Sequence, residues 1–268
     1  MSNGGQFPRI SDAEMAATPR PVMASAADYP TDAAVPAHAH IRAQLIHATA
    51  GVMRVTADEG LWVVPPERAL WVPAGTDHAI AMRGSVQMRT LYIEPGAAPG
   101  LPDRCTVVAV GPLLRALILR AIELPVDYDE AGADGRVMAV LLDELRALPT
   151  IPLHLPKGRD RRLTRVTDAL ERRPGDPRAL EDWARETGAS ARTLARLFLR
   201  ETGLTFGAWR QQARLLEALI GLAEGRPVTA LALDLGYASP SAFIQAFKRA
   251  FGTTPSRYFR ERRESAAT

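Results

Sequence analysis

Two stretches of this 268-residue chain repeat one arrangement, and that repetition limits the possible folds more than any other feature. Leu180, Trp183 and Ala184 fall at helical spacing ahead of Gly188, and a new helix starts at Ser190. The pattern returns from Val228 through Leu231, Ala232 and Leu235 to Gly236, then restarts at Ser239-Pro240. Serine at a helix start accepts a bond from an otherwise orphaned first-turn amide, and proline is preorganised for the first helical position. The spacing therefore predicts two helix-turn-helix units whose second helices begin 49 residues apart. Between them, Phe206 to Ala223 predicts a spacer helix of about 27 Å at ~1.5 Å per residue.

The faces of those second helices differ in chemistry. Leu194, Leu197 and Phe198 turn inward in the first, leaving Arg192, Ala195, Arg196 and Arg200 outward. In the second, Phe243, Phe247 and Ala250 turn inward, and Ser241, Ala242, Gln245 and Arg249 outward. Such a helix enters the major groove of DNA, and two held by a rigid spacer suit successive grooves ~34 Å apart on one face.

Charge agrees with this division. Residues 1–156 carry 12 Lys+Arg against 17 Asp+Glu, net −5, while residues 157–268 carry 21 against 13, net +8. A basic module behind an acidic one is the asymmetry expected when one half meets a polyanion. Arg172, Arg173, Lys248, Arg249 and Arg257 are candidate phosphate contacts, together with the cap residues Ser190 and Ser239. The single cysteine, Cys105, excludes an internal disulfide and fits a reducing compartment. The most apolar stretch, Leu113 to Ile122, is broken by Arg115 and Arg120 and is too short for a membrane span of ~20 residues. A cytoplasmic protein with no membrane role is the expectation.

The first half has a different period. Residues 1–37 are polar, alanine-rich and punctuated by prolines, and read as a flexible arm. From His38 to Glu94, short β-rich segments (44–46, 51–55, 60–64, 69–72 and 86–93) alternate with turn residues, which predicts a barrel or sandwich. After Cys105 the period becomes helical. Leu113, Leu114, Leu117, Ile118 and Ile122, then Val137, Val140, Leu141, Leu145 and Leu148, predict a helical hairpin with its loop at 127–135. So short and apolar a pair has little of its own to bury against, which points to dimerisation. A proline-rich stretch, Pro149 to Pro156, separates the halves.

Three histidines are notable by spacing. His38 and His40 share one face of a strand, Gln44 follows with the same parity, and Gly51 closes the segment; His78 returns after the turn at Pro73. His47 has the other parity, and it and His154 read as ordinary side chains. Trp62 and Trp71 suit a pocket lining and a core equally.

Two resemblances sharpen these expectations. The run from Leu231 to Phe243, followed by Ala246-Phe247-Lys248, Phe251 to Pro255 and Tyr258-Phe259-Arg260, resembles the second signature of AraC/XylS-family transcriptional regulators. The first signature is matched through Leu180, Trp183, Ala184, Ser190, Leu194, Arg196, Phe198, Gly203, Phe206, Trp209, Arg214 and Leu215. The resemblance implies base readout by Arg192, Ala195 and Arg196, and by Ser241, Ala242 and Gln245. It also implies double-stranded DNA, a small-molecule or metal effector, a second copy of the chain and RNA polymerase as partners. Activation and repression are both open. The spans His38–Gly51 and Pro73–His78 resemble the two cupin motifs, which implies a divalent transition metal (Zn, Ni, Cu or Fe) held by His38, His40, His78 and Gln44. Gln44 stands where the cupin pattern has a carboxylate.

The expected fold is α+β in two domains: a cupin-like barrel (38–105) with a helical hairpin (106–148), a linker (149–158), an all-α double helix-turn-helix domain (159–262) and a tail (263–268). The expected function is that of a DNA-binding regulator with a sensing barrel and no enzymatic activity. A cupin metalloenzyme, an oxygenase or isomerase with a helical appendage, is the alternative. It has only Asp77 and Glu67 as nearby acids.

Overall fold

A computed structural model describes residues 10–146 and 153–258 of the chain. Two compact units emerge, Met1–Ala57 with Val64–Leu153, and Asp58–Val63 with His154–Thr268.

The first unit begins with α1 (Asp12–Ala17), β1 (Val22–Tyr29), β2 (Ala34–His38) and β3 (Ala43–Ala57). After β4 (Gly60–Val64), most of which belongs to the second unit, come β5 (Arg68–Val72), β6 (His78–Ile93), β7 (Thr106–Ala109), α2 (Pro112–Glu123) and α3 (Ala133–Arg146). The strands form an antiparallel sheet organised on β6, which pairs with β1, β2 and β3; β5 pairs with β3 and with β7. One face of the sheet, with Val22, Leu45, Trp71, Leu91 and Ile93, packs on Leu114, Ile118 and Ala121 of α2 and on Met138, Leu141 and Leu145 of α3. Each fully buried side chain of this size adds about 1.5–3 kcal/mol. The hairpin therefore has the sheet to bury against, and the premise from which dimerisation was expected does not hold. Leu113 and Val140, expected to share the apolar stripe, are instead exposed.

Four boundaries differ from the sequence expectation. Residues 10–37 are not a free arm, because Arg42, itself buried, donates to the carbonyls of Met15, Thr18 and Arg20 and clamps α1 and its exit. All of β1 is zipped onto β6, from Val22↔Ile93 to Tyr29↔Val86. Gly51 does not close a strand: with φ +74 it sits in a bulge within β3, where a Cβ would come within 2.5 Å of the Ser85 carbonyl oxygen. Residues 106–109 continue the sheet as β7 before the helical hairpin starts. The last part of the expected linker is ordered, since Leu153 and Leu155 are buried and β8 (His154–Pro156) pairs with β4. Residues 1–9, the start of the linker with Leu148, and the end of the chain from Phe259 lie outside the described residues.

The second unit continues with α4 (Arg161–Arg172), α5 (Leu180–Thr187), α6 (Ala191–Thr202), α7 (Phe206–Ala223), α8 (Val228–Asp234) and α9 (Pro240–Phe251). Trp183, Leu194, Phe198, Trp209, Leu231, Phe243 and Phe247 fill its interior. The Arg178 guanidinium lies 3.5 Å from the Trp183 ring centroid and is held there by Asp176 and Glu186. Gly175 allows the Asp234 carbonyl to approach so closely that a Cβ would lie 2.0 Å from its oxygen. Tyr258 packs its ring against Phe247 and Phe251. Among the described residues no helix is long and apolar enough to cross a membrane.

Candidate nucleic-acid interface and effector site

Both turns are built as their residues require. Gly188, at φ +66, ends α5, and Ser190 caps α6 by accepting from the Thr193 amide at 3.1 Å. Gly236, at φ +73, follows α8, and Ser239 caps α9 by accepting from the Ala242 amide at 3.2 Å, with Pro240 in the first turn. Leu194, Leu197 and Phe198 anchor α6, so Arg192, Ala195 and Arg196 are exposed along one face, which borders a half-open cleft of about 690 Å³ reaching the start of α7 at Thr205. Phe243, Ala246 and Phe247 anchor α9, so Ser241, Ala242 and Gln245 are exposed along its first two turns. Ala250, expected inward, is exposed, because the buried stripe runs through Ala246 instead.

The arginines divide by their company. Arg162, Arg178, Arg185, Arg200 and Arg226 are engaged with carboxylates, whereas Arg192 and Arg196 make no ion pair among the described residues. Lys248, Arg249, Arg257, Arg172 and Arg173 are exposed. A cation that the protein itself leaves uncompensated keeps its full donor capacity for a base edge or a phosphate.

The first unit gathers the three spaced histidines. One nitrogen from each of His38, His40 and His78 lies within 4.8 Å of the others, and the ring centroids of His38 and His78 are 4.4 Å apart. His78 is buried, and the His40 side chain is only 8% exposed. Asp12 of α1 stands 3.9 Å from His40 Nδ1, and Met15 packs on Tyr92, so α1 adjoins the same cluster.

Gln44 joins them through a bonding chain that fixes its orientation. Thr90 Oγ1 donates to the Leu45 carbonyl at 3.0 Å, so its oxygen accepts from Gln44 Nε2 at 3.1 Å. This leaves Gln44 Oε1 toward His78 Nε2, at 2.9 Å. On the other side of the same ring, His78 Nδ1 is 2.9 Å from the Thr76 carbonyl oxygen. His38 Nδ1 donates to the Pro36 carbonyl at 2.8 Å. His47 faces the opposite side: Nδ1 donates to the Arg68 carbonyl, and burial brings its pKa down to about 4.

Comparison with known proteins follows this division. A helix-turn-helix domain profile matches residues 183–261, and the AraC-like ligand binding domain profile matches residues 21–148. The HTH-type transcriptional regulator NimR of Escherichia coli K12 is 38% identical over 223 residues, covering 83% of this chain and 81% of its own. The chain belongs to the AraC family of transcriptional regulators. The regulatory protein SoxS of the same organism is 41% identical over 76 residues, 28% of this chain and 71% of SoxS. Among solved structures, ToxT from Vibrio cholerae aligns over 89% of this chain and 98% of its own, with 9% identity and a TM-score of 0.38.

As an AraC-family regulator the protein has a DNA-binding domain and a ligand-binding domain, and its relatives are regulators, so the metalloenzyme alternative falls away. The match starting at residue 21 agrees with a first unit whose sheet begins at β1. Sequence reasoning missed Thr90 and Tyr92, whose hydroxyls face the Gln44 amide at 3.1 and 3.4 Å. Their shared parity on one strand was the available signal. Trp62 and Trp71 line no part of the histidine cluster: Trp71 is in the core beneath the helical hairpin, and Trp62 stacks on His154.

Proposed function

We propose that this regulator reads two half-sites per chain, with Arg192, Ala195 and Arg196 of α6 in one major groove and Ser241, Ala242 and Gln245 of α9 in the next. The observation that carries this reading is the pair of exposed, polar faces at the starts of both second helices, one holding two arginines that make no ion pair among the described residues. Arginine donates bidentately to guanine O6 and N7, glutamine pairs with adenine N6 and N7, and alanine offers only methyl contact. The caps Ser190 and Ser239, with Lys248, Arg249 and Arg257, take phosphates and set register.

The effector in this reading is a divalent transition metal held by His38, His40, His78 and Gln44. The donor set supports it. One ring nitrogen from each of His38, His40 and His78 lies within 4.8 Å of the others, and Gln44 Oε1 lies 2.9 Å from His78 Nε2 at the edge of that cluster. A cation bound there would take the place of the proton between those two atoms. Imidazoles suit Zn, Ni, Cu or Fe, and the amide oxygen adds a neutral donor. Two copies of the chain acting together, and contact with RNA polymerase at the promoter, complete the proposal for how operator occupancy becomes regulation.

Selection of bound DNA from a random pool, with the untagged protein and with each metal present or absent, tests both parts. The reading expects an enriched site with two recognisable halves and a metal-dependent yield. A pool that stays random removes the readout assignment, and enrichment indifferent to every metal removes the metal.

A further inference from the structure

We propose that Asp58–Val63 is a regulatory strap, a piece of chain through which the state of the histidine cluster reaches the helices that read DNA. The effector reading above supplies its input; its route stands on chain connectivity and hydrogen bonds.

The route starts at His78. Its cross-strand partner on one side is His38 of β2, and on the other it is Ala57, the last residue of β3. The next residue, Asp58, already belongs to the second unit, as does the chain up to Val63. There β4 pairs antiparallel with β8, with Gly60 opposite Pro156, Leu61 opposite Leu155 and Trp62 opposite His154. Lys157 donates its amide to the Glu59 carbonyl at 3.1 Å, and His154 Nε2 lies 3.2 Å from the same oxygen. Trp62, almost fully buried, stacks on the His154 ring at a centroid distance of 4.5 Å and 13° between planes.

From β8 the next bonds reach α7. Trp209 Nε1 donates to the Pro156 carbonyl at 2.9 Å, and Gln212 Nε2 donates to the His154 carbonyl. Helix α7 is the spacer between the two helix-turn-helix units. Two strand pairings and one set of side-chain bonds therefore connect a residue of the effector site to the element that sets the distance between reading heads.

The pairing is also made for close contact. Gly60 has φ +148, and a Cβ on it would lie 2.3 Å from the Leu155 carbonyl oxygen and 2.6 Å from His154 Nε2. The chain passes between the units after Ala57, after Val63 and after Leu153. A motion of α7 that leaves the β4–β8 ladder intact carries Asp58–Val63 with it and is felt at Ala57, beside His78. Coupling of this kind requires one element that both sites bias, and Asp58–Val63 is the element that adjoins both.

Amide hydrogen exchange on the full-length chain tests the strap, read at Glu59–Trp62 and at Trp209–Gln212. His78→Ala, and separately His38→Ala, should change exchange at both segments by about threefold or more, since local opening reports local stability. In a Gly60→Ala background, where the added Cβ collides with the Leu155 carbonyl and loosens the β4–β8 ladder without touching a cluster residue, the same substitutions should leave Trp209–Gln212 unaltered. Nickel chloride added to the wild-type chain should act on the same amides. Indifference of Trp209–Gln212 to both histidine substitutions overturns the strap, and so does an equal response with and without the Gly60→Ala change. A response to the substitutions but none to nickel upholds the strap and counts against the metal alone.

Discussion

Gln44 Oε1 and His78 Nε2 face each other at 2.9 Å in the interior of the first unit, and the Thr90 hydroxyl holds the amide in that orientation. That contact with a ring of the cluster makes the amide the tuning point of the site. Gln44→Glu should tighten binding of nickel or zinc by about tenfold or more, because added ligand charge compensates the cation, whereas Gln44→Leu should weaken it comparably. Calorimetric titration of the untagged protein checks both, and equal affinities across the three proteins would remove Gln44 from the site.

Arg42 satisfies three backbone carbonyls from one buried guanidinium. Truncation to alanine leaves those carbonyls without that donor, so Arg42→Ala should lower stability by about 2–4 kcal/mol. It should also expose residues 10–21 to protease ahead of the sheet. Urea unfolding followed by mass mapping of the first cleavage reads both effects, and a variant nicked first elsewhere would assign the clamp a lesser part.

The position of that clamp explains much of what the sequence concealed. Nothing local in the prolines and alanines before His38 says that β1 will zip onto β6 some sixty residues away, or that a guanidinium from the residue just before β3 will hold α1. Gly51 carries the signal of a turn and serves a bulge, since a left-handed residue suits either and only the partner strand decides. The helical half was legible almost to the residue, because period, serine caps and left-handed glycines are local instructions. The expected boundaries of the helix over Phe206–Ala223 coincide with α7 for that reason. In the cluster, His38, His40 and His78 were legible by parity, while Thr90 and Tyr92 join only through strand register.

His47 gives the first unit a pH dependence of definite sign. Its folded pKa is about 4, lowered mainly by burial, with Arg115 and Arg89 adding to the effect and the Arg68 carbonyl opposing it. The unfolded side chain takes up a proton near pH 6.5 and the folded one does not, so the full contribution is present above about 6.5. It is lost progressively as pH falls toward 4, by an order-of-magnitude total of about 3 kcal/mol. His47→Phe should flatten that limb of the stability profile measured by urea unfolding between pH 7 and 4, and an unchanged slope would show that another group sets it.

Arg192 and Arg196 stand one turn apart on the exposed face of α6. If each engages a base edge bidentately, Arg192→Ala or Arg196→Ala costs about 1–3 kcal/mol of discrimination at one base pair and relaxes preference there. Lys248→Ala, acting on phosphate, should weaken all sequences alike and reduce the salt dependence of binding.

The most direct measurement of the central claim is fluorescence anisotropy with the operator recovered from the selected pool and with a scrambled duplex, comparing wild type, Arg196→Ala and Gln245→Ala. Two reading heads predict that each substitution lowers affinity for the operator while leaving the scrambled duplex almost unaffected, and that the two losses map to half-sites about one helical turn apart. Equal losses on both duplexes would contradict the account, since α6 and α9 would then hold DNA without reading it.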